Sequence, residues 1–420
     1  MKKIDYDEVD KRLKPHLDRS REYLRRSIFS QEDIPFEENA NITQEMICTD
    51  DRCFGCGACR QICPQNAISM KTTWDGFLKP VIDERKCIRC EMCHNVCQVF
   101  TKPEEQTGIQ KYYAIKTSNE IRKHSSSGGA FTALSDYILR CGGYIAASVI
   151  DKDHKVKFIL TNETRERDRM RNTFYVQSDS TQIYLKIKNA LSENKKVMFV
   201  GTSCQVVGLR RYLRKDYPNL FICDIVCHGV PSPAVFESFI KYLKSKGELT
   251  DFKFIDKSLC WGGYTVSAVI NGKKVKNKPW LNSFNVLFSH NVINRVCCSM
   301  CPYTSLDRVG DISIGDFWGI KKKRKDFYDK LGVSLLIVNN DKGAEWLRSS
   351  DFSDILEFKA DDILQNSLRH PSECSKYRNS AFRILKTHGY KAVAEKYGEM
   401  NTKGVLKNIV RKVFILVSRG

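Results

Sequence analysis

Two runs of evenly spaced cysteines are the strongest chemical signal in this sequence. Each run has the spacing C-x2-C-x2-C-x3-C, first at positions 53–63 and again at 87–97. Such a loop presents three thiolates to one 4Fe–4S cubane, while its fourth cysteine ligates the cluster of the other run. Zinc modules instead use cysteine pairs separated by a longer spacer. We therefore predict cluster one on Cys53, Cys56, Cys59 and Cys97, and cluster two on Cys87, Cys90, Cys93 and Cys63.

Four further cysteines occur downstream in settings that suggest another site. Cys204 and Cys227 each follow a predicted strand, and the carboxyl ends of neighbouring parallel strands meet at one edge of a sheet. Cys298 and Cys301 form a C-x2-C pair that could complete a set of four thiolates. The alternative is that Cys204 and Cys227 are small buried apolar residues, as free cysteines often are. The residues alone leave both readings open.

A serine and glycine turn precedes a predicted helix at Ser125-Ser126-Ser127-Gly128-Gly129. Hydroxyls and free amides at a helix N-terminus can hold a phosphate or pyrophosphate. The alternative is an ordinary serine N-cap followed by a glycine turn. No G-x-G-x-x-G motif follows a predicted strand, so the sequence gives no support for a Rossmann dinucleotide site.

The surrounding sequence predicts the elements that would position these residues. Strand and helix signals alternate from about residue 110, which favours α/β or α+β architecture in a multidomain chain. The strand that ends at Cys204 and the strand that ends at Cys227 belong to this alternation. The predicted units are a charged helical extension at 1–44, a two-cluster ferredoxin-like domain at 45–103, a mixed α/β catalytic domain at 110–350 with parts 110–195 and 196–350, and a basic helical tail at 351–420.

Composition limits the class of protein. The chain has 420 residues, 18 cysteines and a formal charge of +20, with no apolar N-terminal signal and no apolar run of the ~20 residues that a membrane span needs. A reducing cytoplasm is therefore expected, where cysteines serve mainly as ligands or redox groups. Three bound clusters at roughly −2 each would leave about +14. Such a surface could attract an acidic redox partner, anionic lipid or nucleic acid, and the sign of the charge alone does not choose among them. No nucleic-acid-binding module is recognised, so no nucleic acid is predicted.

The C-terminal segment 405–418 has the pattern of a basic amphipathic helix. Such a helix can lie on an anionic membrane surface, which would give the protein a peripheral position on the inner face of the membrane. The alternative is a terminal helix that docks on the protein core or on a partner protein. The basic run at 321–325 is interpreted as a solvated loop.

Several motifs together resemble a known family. Residues 53–97 resemble bacterial two-cluster ferredoxins, although Gln98 replaces the proline that usually follows the last cysteine. Residues 111–340 are similar to the β subunit of coenzyme F420-reducing hydrogenase and dehydrogenase. The motifs that carry this second resemblance are Ser127-Gly128-Gly129, Tyr175-Val176-Gln177-Ser178, Gly201-Thr202-Ser203-Cys204-Gln205, Cys227-His228-Gly229-Val230-Pro231-Ser232, the segment 295–301 and Gly315-Asp316-Phe317-Trp318-Gly319.

The resemblance implies two more cofactors. A third 4Fe–4S cluster is expected on Cys204, Cys227, Cys298 and Cys301, where Cys298 is preferred to Cys297 because it keeps the spacing Arg-x-x-Cys-x-x-Cys from Arg295. FAD is the other expected cofactor, although Asn172-Thr173-Phe174 stands where the family usually has Gly-Ser-Lys. Its expected contacts are Ser126, Ser127, Gly128, Gly129, Tyr175, Gln177, Ser178, Thr202 and Gln205.

The implied function is that of an iron–sulfur flavoprotein oxidoreductase. Clusters carry single electrons and a flavin can pass them on as a hydride, so both groups would connect a ferredoxin-type partner with a two-electron substrate. His228 is the candidate acid by position alone, and no catalytic residue is assigned. The alternative is a non-catalytic electron-transfer subunit of a larger redox complex.

Overall fold

A computed structural model of the chain describes residues 47–400, apart from 49, 101–109, 259–260 and 263–264. The predicted extension at 1–44 and the predicted amphipathic helix at 405–418 lie outside the described residues. No helix within the described part is both long and apolar enough to cross a membrane.

An eight-stranded mixed sheet forms the centre of the molecule. Its strand order is β13-β3-β12-β11-β7-β6-β4-β5, with four parallel strands in the middle and antiparallel neighbours on both sides. A two-stranded hairpin (β1-β2) and a three-stranded sheet (β10-β9-β8) lie outside it. The strands are β1 Ile68–Thr72, β2 Leu78–Ile82, β3 Lys111–Lys116, β4 Tyr144–Ile150, β5 Val156–Thr161, β6 Val197–Thr202, β7 Leu220–Ile225, β8 Leu249–Lys253, β9 Ser267–Ile270, β10 Lys273–Lys276, β11 Ile312–Asp316, β12 Ser334–Val338 and β13 Asp354–Phe358.

Helices cover both faces of the large sheet, and thirteen α-helices occur among the described residues. The longest, α13, contains a kink at Gly389, where φ is 75°. The helices are α1 Ala58–Ile62, α2 Met92–Asn95, α3 Asn119–Lys123, α4 Ala130–Arg140, α5 Thr164–Arg169, α6 Ile183–Ser192, α7 Ser203–Leu213, α8 Pro233–Lys244, α9 Pro279–Ser289, α10 Ile320–Lys323, α11 Asp341–Arg348, α12 Ala360–Ile363 and α13 Arg378–Tyr397, with short 3-10 helices at Val296–Met300 and Asn366–Leu368.

The central strands are apolar because both of their faces are covered. Every residue of β12 is buried, and in β6 only the final Thr202 is partly exposed. Burial on both faces is characteristic of the parallel part of an α/β sheet, whose strands read as continuous apolar runs. The mixed α/β fold class predicted from the sequence is therefore confirmed.

The cysteine-rich unit packs directly against this sheet. Its helix α1 contacts α7 and α6, and Ala58 and Val96 are buried in the same apolar core as Phe199 of β6. The hairpin β1-β2 joins a different core through Phe77, which packs with residues of α8 and α9. The cysteine-rich unit therefore shares its apolar cores with the α/β part of the chain.

Two of the predicted boundaries differ from the structure. The interval 351–420, predicted as a helical tail, contains β13, which pairs with β3 along its whole length. The sequence pattern is misleading here because β13 is short and contains Asp354 and Glu357, residue types that are uncommon in strands. The division at 195/196 also falls inside one sheet, since β4 and β5 precede it and β6 follows it.

Candidate functional site

The first three cysteines of the N-terminal run lie close to the last cysteine of the other run. The pKa of Cys59 is raised by burial and then by the charges of Cys56, Cys53, Cys97 and, last, Cys93. The pKa of Cys56 is raised to about 12 by burial, with Cys97 the largest of its charged neighbours. Four thiols around one point are the donor set that an iron–sulfur cluster requires.

The second run forms a separate group with Cys63. The pKa of Cys93 is raised to about 11 by burial and, among charges, by Cys87 and Cys63. All four thiols of predicted cluster two line one small cavity of about 20 Å³. Cys90 is exposed, and Ile88 beside it is 61% exposed. The structure therefore brings together the two predicted ligand sets, and cluster two would lie at the surface.

A third group of thiols forms at the carboxyl edge of the parallel strands. The pKa of Cys301 is raised well above its usual range by burial and then by the charges of Cys204, Cys298 and Cys227. Cys204 lies in the first turn of α7 directly after β6, and Cys227 follows β7 by two residues. The neighbouring ends of two parallel strands thus supply two thiols, and the loop after α9 supplies the other two.

The adjacent cysteines of the 3-10 helix face different surroundings. Cys298 acts on the pKa of Cys204, Cys227 and Cys301, whereas Cys297 is 2% exposed and interacts mainly with Cys298. This geometry favours Cys298 as the member of the set. Among the described residues, no three His, Cys, Asp or Glu side chains are grouped closely enough to hold a single metal ion.

A buried polar network holds the turn that carries Cys204. The Ser203 hydroxyl donates to Asp224 Oδ2 at 2.9 Å, and Asp224 also pairs with Arg308. The Arg308 guanidinium donates to the Ser203 hydroxyl at 3.0 Å as well, so three buried side chains tie the end of β6 to β7 and to the segment before β11. Removal of one partner from such a network leaves a buried charge uncompensated. No motif in the sequence predicted it.

Direct contacts join the first and third thiol groups. Gln98, which is 8% exposed, donates from Nε2 to the Cys204 carbonyl at 2.8 Å. The Tyr303 hydroxyl donates to Gln98 Oε1, also at 2.8 Å. At Gly208 on α7, a Cβ atom would stand 3.0 Å from Cys56 Cβ and 3.1 Å from its Sγ. The absence of a side chain there lets α7 approach the first cysteine loop.

A large cavity adjoins the third thiol group. Its volume is about 740 Å³, within the range of ordinary cofactor and ligand sites. Cys227 and His228 line it, and the Ser372 hydroxyl lies 3.0 Å from Nδ1 of His228. Seven of the residues predicted to contact flavin also line the cavity: Ser126, Ser127, Gly129, Tyr175, Ser178, Thr202 and Gln205.

Two residues predicted to contact flavin lie elsewhere. Gln177 accepts a hydrogen bond from Arg295 at 2.7 Å and donates one to the Phe54 carbonyl at 3.0 Å, so it faces the first cysteine loop. Gly128 packs between β3 and β12, where its amide donates to Ser334 Oγ at 2.8 Å and a Cβ would stand 2.4 Å from the Ser334 nitrogen. Neither residue lines the cavity, and their flavin contacts remain predictions.

The predicted helix start after the serine turn is present. Gly129 precedes α4 with a φ of 92°, a conformation that glycine adopts readily. Ser126 Oγ accepts a hydrogen bond from the Thr173 amide at 2.8 Å and points its own proton toward the Arg171 carbonyl. At the other wall, Thr202 and Gln205 form a capping box on α7.

Three charged groups lie at or beside this cavity, and two of them, Arg171 and Lys257, belong to none of the sequence motifs. Arg171, next to the tripeptide that departs from the family pattern, lines the cavity and pairs with Asp168 at 2.7 Å. Lys257 donates to the Ser127 carbonyl at 2.9 Å, and burial lowers its pKa to about 8. Burial raises the pKa of Asp316, which also lines the cavity. No local spacing could predict this convergence, because the residues come from distant segments.

The thiol groups and the mixed sheet define an iron–sulfur protein built on an α/β domain. Residues 194–362 match the C-terminal part of the beta subunit of coenzyme F420 hydrogenase/dehydrogenase, and residues 52–100 match the 4Fe-4S dicluster domain. The chain therefore carries a domain similar to the C-terminal part of the coenzyme F420 hydrogenase/dehydrogenase beta subunit, and a 4Fe-4S dicluster domain precedes it. The resemblance predicted from the sequence is confirmed.

Similar proteins cover different parts of the chain. A component of the F(420)H(2) dehydrogenase of Methanosarcina mazei is 21% identical over 63% of this chain and 75% of its own length. Coenzyme F420-dependent sulfite reductase of Methanocaldococcus jannaschii is 27% identical over 43% of this chain, which spans 28% of that relative. A polyferredoxin-like protein of M. jannaschii is 33% identical over 18% of this chain, and the match spans about half (52%) of it.

A solved structure is similar over a larger share. A chain of the F420-reducing [NiFe] hydrogenase complex from Methanosarcina barkeri aligns with 70% of this chain and 91% of its own length. The identity is 16% and the TM-score is 0.38. The two curated relatives with F420 in their names are oxidoreductases, and the chain is similar to these enzymes.

Proposed function

We propose that this protein is an iron–sulfur flavoprotein oxidoreductase that exchanges electrons between a ferredoxin-type partner and a two-electron substrate. The observation that supports this most is the double position of Cys227. It belongs to the third thiol group and also lines the 740 Å³ cavity, so a group bound in the cavity would lie beside a cluster.

The donor sets fit the proposed clusters. Thiolates are the ligands that iron–sulfur clusters use, and twelve cysteines form three separate groups of four. The charges of Cys56 and Cys204 both raise the pKa of Tyr184, and the charge of Cys204 also raises the pKa of Cys56. These interactions indicate that the first and third thiol groups are adjacent. The groups thus follow one another from the surface, at Cys90, to the cavity wall, at Cys227.

The cavity fits a flavin with its phosphate at α4. When bound, a flavin would supply the step between one-electron and hydride chemistry. The amides at the start of α4 support an anion there, and Ser126 and Ser127 line the cavity beside this helix start, where the Ser127 hydroxyl donates to the Val333 carbonyl at 3.1 Å. Arg171 lines the same cavity and could supply the positive charge that the family's lysine would otherwise provide.

The cavity opening favours a planar group. Trp318 lines the cavity, is 38% exposed and stacks on Trp261 with 5.4 Å between ring centroids and an angle of 7°. Trp261 is fixed by a hydrogen bond from Nε1 to Asp316 Oδ1 at 2.8 Å. An aromatic pair held in this way offers a flat apolar surface at the entrance.

The test is anaerobic purification followed by iron analysis and extraction of released cofactor. We expect about twelve irons per chain, from three clusters of four, and a flavin in the extract or bound on addition of FAD. An iron content near eight atoms per chain would contradict the third cluster. Twelve irons without bound or bindable flavin would favour the non-catalytic electron-transfer role.

A charge variant locates the flavin phosphate. Ser126→Glu places a carboxylate in the turn before α4, where the side chain lines the cavity and would repel a bound anion. We expect FAD binding to weaken at least tenfold while the iron content stays unchanged. Ser126→Ala is the matched control, because it removes the hydroxyl without adding charge. Equal FAD affinity in both variants would contradict a phosphate at this helix.

A further inference from the structure

One buried cation lies between the first and third thiol groups. Arg295 is 4% exposed, and the three hydrogen bonds that the structure describes for its guanidinium all go to uncharged acceptors. Its Nε donates to the Cys53 carbonyl at 2.8 Å and its two terminal nitrogens donate to Gln177 Oε1 at 2.7 Å and the Leu78 carbonyl at 2.9 Å. The Arg295 side chain thus extends from the segment before Cys298 to the loop that contains Cys53.

The charge of this guanidinium has no carboxylate partner at ion-pair distance among the residues that the structure describes. The charge of Asp75 also raises the pKa of Arg295, but the Asp75 carboxylate forms its ion pair with Arg378 at 2.5 Å. Burial of a cation is costly unless an opposite charge compensates it. Burial alone would lower the pKa of Arg295, but the charges of Cys53, Cys297 and Cys298 raise it.

We propose that Arg295 is the shared counter-charge of clusters one and three. Each cluster with its four thiolates carries a net charge of roughly −2, so two such groups on either side would compensate the guanidinium. The part that concerns cluster three rests on the proposed function. The part that concerns cluster one rests on the dicluster domain alone.

A fixed positive charge has a defined consequence for the clusters beside it. Reduction adds negative charge, so Arg295 stabilises the reduced form and raises the reduction potential of both neighbours. Cluster two provides an internal reference. The charged neighbours that raise the pKa of Cys93, a member of cluster two, are Cys87 and Cys63. Arg295 instead interacts electrostatically with Cys53 of the first group and with Cys204 and Cys298 of the third. Arg295 is accordingly a positioning residue that also sets potentials.

The test compares Arg295→Met with Arg295→Lys in the holoprotein, by anaerobic redox titration followed by electron paramagnetic resonance. We expect Arg295→Met to move the potentials of clusters one and three to more negative values and to leave cluster two unchanged. Arg295→Lys keeps the charge and should stay near the wild type. Arg167→Met is the matched control, because Arg167 is equally buried but pairs with Asp136 and Asp168 away from the thiol groups.

Every outcome bears on the proposal. A uniform shift of all three clusters, or no shift in Arg295→Met, would overturn it. If Arg295→Met loses its clusters, Arg295→Gln is measured in its place. Cluster loss in both neutral variants with retention in Arg295→Lys supports the counter-charge, and loss in all three shows a purely structural role. If the wild type holds only eight irons, the third cluster fails, while the shift of cluster one against cluster two still decides the role of Arg295.

Discussion

The two cysteine runs have the same spacing but opposite environments. The run at 53–63 packs against the α/β domain, where Gln177 and Arg295 both hydrogen-bond to its backbone. The run at 87–97 lies nearer the surface, with Cys90 and Ile88 exposed, although Cys93 is buried and Cys97 lies beside the thiols of the first run. Identical spacing therefore yields one interior site and one surface site.

The spacing of the cysteines therefore specifies which residues are the cluster ligands. The tertiary contacts determine whether the cluster lies near the surface or in the interior. A cluster near the surface suits exchange with a partner protein, and a cluster near the interior suits contact with another site in the same chain. Four sets of substitutions test whether the interior and surface sites differ in this way.

The largest expected effect concerns the third thiol group. Cys298→Ser should lower the iron content from about twelve to about eight per chain, because one weak hydroxyl replaces a thiolate ligand. Cys297→Ser is the matched control and should keep about twelve irons. Iron is measured on protein purified without oxygen. If Cys297→Ser loses four irons and Cys298→Ser does not, then Cys297 is the cluster ligand and the assignment of Cys298 is wrong.

The next effect concerns the bridge between the interior sites. Gln98→Leu leaves the Cys204 carbonyl and the Tyr303 hydroxyl without their partner, and buried polar groups left in this way cost about 1–3 kcal/mol of stability. Tyr303→Phe removes one half of the bridge and should cost less. Anaerobic urea unfolding of both single variants and the double variant measures their coupling. Full additivity would show that the bridge contributes nothing as a unit.

Gly208→Ala tests the close approach of α7 to the interior run. An alanine in an open helix position would stabilise the protein by roughly 0.5–1 kcal/mol. Here its Cβ would stand 2.9 Å from Tyr184 Oη and 3.0 Å from Cys56 Cβ, so we expect a loss of about 1–2 kcal/mol instead. The sign of the change in the urea midpoint decides the question, and stabilisation would contradict the tight packing.

The smallest expected effect concerns the surface run. Ile88→Asp should slow reduction by a reduced bacterial ferredoxin several-fold, because a charge at the rim of an interface mainly changes the association rate. Reduction by dithionite should be unchanged. Ile355→Asp is the control, since Ile355 is 47% exposed on β13 at the edge of the large sheet. Equal slowing in both variants would exclude a docking role for the surface around cluster two.

The sequence alone was enough to predict the two cysteine runs, the resemblance to the F420 hydrogenase/dehydrogenase beta subunit and the strands that precede Cys204 and Cys227. Each of these depends on local spacing or on short apolar runs, which a single sequence displays directly. It could not determine that Gln177 faces the cysteine loop, because alternate residues of one short segment point to opposite sides. Nor could it place β13, whose pairing with β3 joins positions far apart in the chain.

Only the tertiary structure decided where charge is buried. Arg295, Arg308 and Lys257 look like ordinary basic residues in the sequence, yet Arg295 and Arg308 are buried, Lys257 is partly buried, and each is hydrogen-bonded beside a thiol group or the cavity. In the sequence, Gln98 stands out only because it replaces the usual proline. In the structure it hydrogen-bonds to the Cys204 carbonyl and to Tyr303, and so connects the first and third thiol groups. The physical reason is that burial and long-range pairing depend on which segments meet, and spacing along the chain does not specify that.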